Sequence, residues 1–322
     1  MLHPIGYEER PRGHEPDHFE SIEKTLVARG HEMTGDIALA DVLLFNSDVW
    51  NIEGGTSLYN RGVLVFALDR HLPVVWFDYF DHAGDDKSQG RWPGTEDWKD
   101  MRSYDFKYHD FAWFGWNVSR PEANRLLYFM RKMQIHQDYP DYVHPIEHPI
   151  IEDFPLVTKE QLCARPFDVC GLTNIGMTRA VAMIDLYRDG RLKLDCEIIP
   201  SYRRLDYPVW VNRHRAAKLF LEADASLGSE RPLRLITVAP MLRVKSDHKL
   251  PFPREDMVHM VEIGDYDGAI SKQDVDKVLT VLKDPDLLYS IYVNGAEHMR
   301  KHYSLEARSN YVVELIEKFV NK

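Results

Sequence analysis

The chain has 322 residues, 44% of them hydrophobic, a formal charge of −11 and three cysteines. That length holds two ordinary domains with their own cores, and that charge argues against a nucleic-acid binder held by a general basic surface, though not against a local basic groove. Three cysteines without a CxxC argue for a reducing compartment and against a thiolate zinc site; no apolar run approaches the roughly 18 residues of a membrane helix, and the N-terminus lacks a signal-peptide layout. The expectation is a soluble, cytoplasmic protein with no membrane partner.

In chain order, Met1 to Tyr7 reads as a short first strand, and a polar loop follows. Phe19, Ile22, Leu26 and Val27 have helical spacing between Asp17 and Arg29, with Gly30 placed to end the helix. Asp41 to Phe45 is a buried-type strand that runs into Asn46, then Glu53-Gly54-Gly55. Ser57 to Arg70 reads as a helix, Pro73 to Phe77 as a strand ending at Asp78, Phe111 to Phe114 as a further strand, and Pro121 to Met133 as a helix with proline in its first turn. Prolines 140, 145, 149 and 155 cluster without helical period and mark a domain boundary near residue 150.

The pattern then restarts. Phe167 to Gly171 reads as a strand, Thr178 to Arg188 as a helix and Leu194 to Ile199 as a strand. A helix is expected over Tyr207 to Ala223, a short strand near Ala225 to Leu227, and a helix over Arg231 to Arg243. Met257 to Ile263 is strand-like, and helices follow at Ser271 to Leu282, Pro285 to His302 and Ser304 to Phe319. Strands alternating with helices imply parallel β-α-β units in a doubly wound α/β fold, with function at the C-terminal strand ends. The domains expected are 1–150 and 151–303, with 304–322 a last helix.

One stretch organises the second half. After Gly171 comes a polar turn with a second glycine, Gly176, and then a helix start with Arg179 in its first turn. Glycines let a backbone come close, and a helix N-terminus offers unpaired N–H groups and a positive dipole end, so this is a natural phosphate seat. The plain alternative is an ordinary strand-to-helix connection. There is no GxGxxG in the first βα turn and no GxxxxGK[ST] loop.

Several short stretches together resemble the GT-B glycosyltransferases, and among them the bacteriophage DNA β-glucosyltransferases. Asp41 to Ser47 followed by Gly54-Gly55 is similar to that family's strand, Asn-Ser turn and Gly-Gly step. Val74 to Asp78 is similar to the strand whose last aspartate is its catalytic base, and Pro145-Ile146-Glu147 to its linker. Asp168 to Arg179 matches its glycine turn and diphosphate-binding arginine, and Arg234 a second such arginine. Thr237 stands where the family has an acid on the donor ribose. His18 or Glu20 stands for an early glutamate.

The resemblance implies two Rossmann-like domains facing across a cleft, with a C-terminal helix returning to the first. It implies a nucleotide-sugar donor, UDP-glucose or similar, with no tightly bound cofactor and no required metal, and an acceptor in double-stranded DNA carrying hydroxymethylated bases. A monomer or weak homodimer is expected, in the host cytoplasm if phage-encoded. Asp78 and His18 would be catalytic. Gly171, Arg179, Arg234 and Thr237 would hold the donor, and Asn46, Glu53, Gly54 and Gly55 would lie on the acceptor side. Apart from the resemblance, Lys245 and Ser246, in the polar run Lys245 to Lys249, could line the sugar pocket and hold the donor or belong to a plain loop.

Transfer needs cationic and N–H donors where diphosphate charge develops, and a base for the acceptor hydroxyl. Each residue also has a plainer role open to it: Asp78 a turn acid, His18 an exposed residue near a helix start, the arginines surface ion pairs. Asp78, Asp81, Asp85 and Asp86 with His82 could hold a divalent ion or form a simple loop. Trp113, Trp116, Tyr139 and Tyr142 could stack on a base or belong to the core. The basic run Arg203 to Lys218 could be a solvated face or a groove. A polysaccharide, lipid or protein acceptor, a nucleotide-sugar epimerase and a non-enzymatic sugar-binding protein stay open.

Overall fold

The computed structural model describes residues 17–46, 66–67, 69–78, 123–130, 133, 135, 139–147, 150, 153–174, 177–199, 206–222, 235–245 and 249–321. In chain order these form α1 (Asp17–Ala28), β1 (Leu43–Asn46), β2 (Val74–Asp78), β3 (Leu126–Met130) and β4 (Val143–Pro145). Next come α2 (Lys159–Cys163), β5 (Phe167–Asn174), α3 (Met177–Asp189), β6 (Leu194–Ile199), α4 (Tyr207–Arg215) and β7 (Ala217–Glu222). The chain continues with β8 (Met241–Val244), β9 (Val261–Ile263), α5 (Lys272–Lys283), α6 (Pro285–Tyr303) and α7 (Leu305–Val320). It divides into two compact units, one of 1–147, 249–251 and 306–322, the other of 148–248 and 252–305.

In the first unit all strands are parallel, in the order β1-β2-β3-β4. Leu43, Phe45, Val74, Trp76, Leu126 and Tyr128 line one face, and Leu44, Val75, Phe77, Leu127 and Phe129 the other. Both faces are buried, which is why these strands read as unbroken apolar runs. On the second face, α1 contributes Phe19, Ile22 and Leu26, and α7 contributes Val312, Val313 and Ile316. The two helices are tied by Ser21 Oγ and Ser309 Oγ at 2.7 Å and by Arg29, which donates to Glu317 at 2.8 Å. The expected return of the last helix to the first unit is observed. Arg308, buried on α7, donates from Nε to the Glu147 carbonyl at 2.8 Å.

The second unit holds a parallel sheet of order β6-β5-β7-β8-β9. On one face α3, α5 and α6 cover Val169, Leu219, Leu221, Leu242, Val244, Val261 and Ile263. On the other, Trp210 of α4 lies against Cys170, Leu172 and Ala217. Both α5 and α6 are capped: Ser271 and Asp274 form a reciprocal capping box, and Asp284 accepts from the N–H groups of Asp286 and Leu287. Helices on both faces of a parallel sheet make the Rossmann-like arrangement expected.

Four sequence expectations are corrected. The helix over Pro121 to Met133 is instead a 3-10 turn, Ala123–Arg125, followed by β3. Every residue of Leu-Leu-Tyr-Phe-Met is buried, so the run carries no period to separate strand from helix. The helix over Tyr207 to Ala223 stops at Arg215, and Ala217–Glu222 is β7. The helix over Arg231 to Arg243 gives way to β8 at Met241, behind Pro240. The strand at Met257 to Ile263 is confined to its last three residues. The expected strands at Met1 to Tyr7, Phe111 to Phe114 and Ala225 to Leu227 lie outside the described residues, as does most of the helix over Ser57 to Arg70.

Candidate functional site

In the five-stranded sheet the chain goes from β5 outward to β6, then crosses back to β7 on the other side of β5. That reversal is a topological switch point, and in open parallel sheets ligands bind outside the C-terminal strand ends at such a point. Here those ends are Asn174 and Glu222. Two residues, Ile175 and Gly176, separate Asn174 from Met177, the first residue of α3. Thirteen residues long, α3 starts at this edge, and Arg179 is the third of them.

Gly171 is not the turn glycine. It lies inside β5, three residues before the strand end, paired with Cys196 of β6. A Cβ there would stand 3.1 Å from Cys196 Sγ and 3.2 Å from Leu221 Cδ2, so a larger residue would have to displace these side chains of the neighbouring strands. Ile175 and Gly176, which follow the strand end in sequence, lie outside the described residues.

Thr237 is corrected more firmly. It comes four residues before β8 begins, at the N-terminal edge of the sheet, and is fully buried. Its Oγ1 accepts the Phe154 N–H at 3.1 Å, and its carbonyl accepts the Tyr292 hydroxyl at 2.6 Å. A buried hydroxyl already serving a backbone amide is no ribose ligand; Thr237 clasps the start of this unit to α6. Arg234 and Ser246 lie outside the described residues.

Lys245 follows β8 directly and donates its N–H to the Ile263 carbonyl at 2.9 Å, which holds it level with the end of β9. Its Nζ stands 5.3 Å from the centre of the Tyr266 ring. Tyr266 was not singled out in the sequence. It sits in a turn entered at Gly264, whose φ of +69° and whose 2.8 Å gap between a would-be Cβ and the Ala269 carbonyl both require glycine. The Gly264 and Gly268 pair flanking Tyr266 was the available signal.

The four-stranded sheet makes its own cluster. Asn46 ends β1, Asp78 ends β2, and the register pairs Asn46 with Phe77 and Asp78 with Met130. Phe19 of α1 meets Phe77 edge to face at 5.2 Å, so α1 starts level with the end of β2. His18 is the second residue of α1. Backbone positions of His18, Asn46 and Asp78 therefore gather at one C-terminal sheet edge. Glu53, Gly54 and Gly55 lie outside the described residues.

Other candidates resolve into structure. Arg213 pairs with Asp195 and Glu197 of β6, Lys218 with Asp168 at 3.0 Å, and the Arg215 guanidinium lies 4.8 Å above the Phe154 ring. Three members of the basic run thus serve neighbouring elements; Arg203 and Arg204 lie outside the described residues. Tyr139 and Tyr142 pack on the first unit's core, and burial raises the Tyr142 phenol well above its ordinary range. Burial likewise raises the Cys170 thiol and pushes Cys196 up to about 12, so neither is a nucleophile near neutral pH. Among the described residues no group of His, Cys, Asp or Glu could hold a metal, and no helix is long and apolar enough to cross a membrane. Asp81, His82, Asp85, Asp86, Trp113 and Trp116 lie outside the described residues.

No protein-family model matches the sequence, and no curated protein matches it. Among solved structures the chain is similar to Anabaena HepE in complex with UDP-glucose, at 9% identity and a TM-score of 0.46 over 92% of this chain and 88% of that one. It is similar at the same identity and score to an α-1,3-fucosyltransferase, over 94% and 87% of the two chains. A third is an α-glucosyltransferase in complex with UDP and a 13-mer DNA containing an HMU base, again 9% and 0.46, over 95% of each. At that identity and score the likenesses say nothing about chemistry. The Rossmann-like fold rests on the strand order and packing described above.

Proposed function

We propose that the protein is a glycosyltransferase of GT-B type that moves a sugar from a nucleoside diphosphate sugar to an acceptor hydroxyl. The observation that carries this is the switch point between β5 and β7, where β5 ends at Asn174 and α3 begins three positions on, at Met177, with Arg179 in its first turn. Amides at a helix start and a guanidinium suit a diphosphate. The sugar as cargo and the acceptor come from the sequence resemblance.

In this mechanism the acceptor oxygen attacks C1 of the sugar as Asp78 takes its proton, and the C1–O bond to the diphosphate breaks. Arg179, Arg234 and the α3 amides meet the charge that develops on the leaving group, each contact worth on the order of 3 kcal/mol in the transition state. His18, at the same sheet edge as Asp78, is the second candidate base. The resemblance makes the donor a UDP-sugar and the acceptor a hydroxymethylated base in duplex DNA, flipped out to be reached. The charge of −11 weighs against DNA.

A thermal-shift screen against nucleotide sugars tests the donor: a ligand at about 100 times its dissociation constant adds roughly 2.7 kcal/mol of stability. One donor is expected to raise the melting temperature, and Asp78→Asn to keep that shift while transfer to the acceptor falls about 10²- to 10⁴-fold. Hydroxymethylated and plain DNA, offered in parallel, decide the acceptor. No shift with any nucleotide sugar overturns the proposal.

A further inference from the structure

Away from the C-terminal strand ends, the second unit gathers three imidazoles. His298 and His302 stand one turn apart on α6 and so share a helix face. His259, in the turn before β9, meets that face, with its ring centroid 4.4 Å from His298, which is itself 4.8 Å from His302. Phe252 stacks on His302 at 4.5 Å. Arg254 joins the group: its guanidinium lies 5.7 Å from the Tyr303 ring centre, with Nη1 3.8 Å from Met241 Sδ. Among the described residues Arg254 pairs with no carboxylate, and its buried Nε has no hydrogen-bond partner.

The charges that act on His298 and His302 share one sign. Around His298 stand His259, His302 and Arg254; around His302 stand Lys301 and His259. The hydrogen bonds fix which ring nitrogens hold protons. The Glu255 N–H donates to Nδ1 of His259 at 3.0 Å, so neutral His259 carries its proton on Nε2. The Phe252 carbonyl can only accept, at 3.4 Å, so Nε2 of His298 donates to it. A metal ion needs bare ring nitrogens and tolerates a neighbouring guanidinium poorly. An anion needs N–H donors and positive charge: Nε2 of His259 and the buried Nε of Arg254 offer the first, and Arg254 with protonated His298 and His302 the second.

We propose that Arg254, His259, His298 and His302 form a binding site for a phosphate-class oxyanion. Without the anion, burial, His259, His302 and Arg254 hold His298 down at about 4. Burial, then Lys301 and His259, lower His302 as well. A bound anion opposes that field, so binding takes up protons and is tighter at about pH 6 than at about pH 8. The site adjoins Tyr303, whose carbonyl accepts the Ile150 N–H at 2.6 Å and whose hydroxyl donates to the Phe252 carbonyl at 2.7 Å. Ile150, Phe252 and Tyr303 lie beside the points where the chain enters and leaves this unit, so occupancy stiffens those segments.

The test follows the histidine ring resonances of the full chain by long-range ¹H–¹⁵N NMR. Inorganic phosphate and a sugar phosphomonoester are titrated separately against chloride at equal ionic strength. The expected result is a saturable shift of the three rings and a rise of about one unit in the His302 pKa. Whichever ligand binds tighter identifies the source of the phosphate. Arg254→Gln and the half-exposed His302→Gln should each weaken the response at least tenfold, whereas Arg179→Gln should keep it, which separates this site from the α3 diphosphate seat. Rings that respond to neither ligand overturn the proposal, as does a response that survives His302→Gln and disappears in Arg179→Gln.

Discussion

Gly295 sets how closely α6 can approach the turn before β9. A Cβ at this position would stand 2.5 Å from the His259 carbonyl, with Ile236 Cδ1 behind at 3.6 Å. Gly295→Ala gains up to about 1 kcal/mol of helix propensity but forces backbone apart, an overpacking cost of about 1–3 kcal/mol. The expected outcome is a lower urea midpoint with an unchanged slope. Little of this was legible beforehand, because a glycine inside a helical pattern does not say what lies against it. Thr237 taught the same lesson: its hydroxyl is consumed by Phe154 N–H, a partner 83 residues away. Gly171 was legible as a close-approach glycine, but what approaches it is Cys196 and Leu221 rather than a ligand.

At the scale of elements, amphipathic helices were readable and fully buried strands were not. The pattern of α1 shows because one face meets water while Phe19, Ile22 and Leu26 do not. The same physics hides β3, whose two faces are both covered, and β7, whose consecutive Leu219, Phe220 and Leu221 are all buried. The return of α7 to the first unit has an energetic consequence. Ile316 is fully buried where α7 meets α1 and the sheet. Ile316→Ala should therefore lower the stability of the first unit by about 2–5 kcal/mol. Hydrogen-exchange protection should fall in α1 and β1 to β3 and stay unchanged in β5 to β9.

For the whole molecule, stability should fall on mild acidification before the carboxylates titrate. His298 is held down from 6.5 to about 4, first by burial and then by its cationic neighbours. The unfolded chain therefore takes up a proton first as pH drops. Stability contributed by the neutral ring is complete above about 6.5, is lost as pH falls towards 4, and changes no further below that. His298→Phe, compared with the parent in phosphate-free buffer, should flatten the dependence of the urea midpoint on pH across that window. A parallel dependence in both proteins would place the acid sensitivity elsewhere. The two-sheet architecture was legible because strand and helix signals alternate, whereas the site was legible only in outline. Asn46 and Asp78 do fall at strand ends and Arg179 in a helix's first turn, but which strand ends lie side by side depends on strand order, which no local pattern encodes.

The measurement that bears most directly on the proposed chemistry is calorimetric titration of the full chain with uridine diphosphate, beside the Arg179→Gln variant. A guanidinium that meets the diphosphate at the start of α3 contributes about 1.5–3 kcal/mol, so the variant should bind on the order of 10- to 150-fold more weakly with its melting temperature unchanged. Equal affinity in the two proteins would contradict a diphosphate seat at the start of α3.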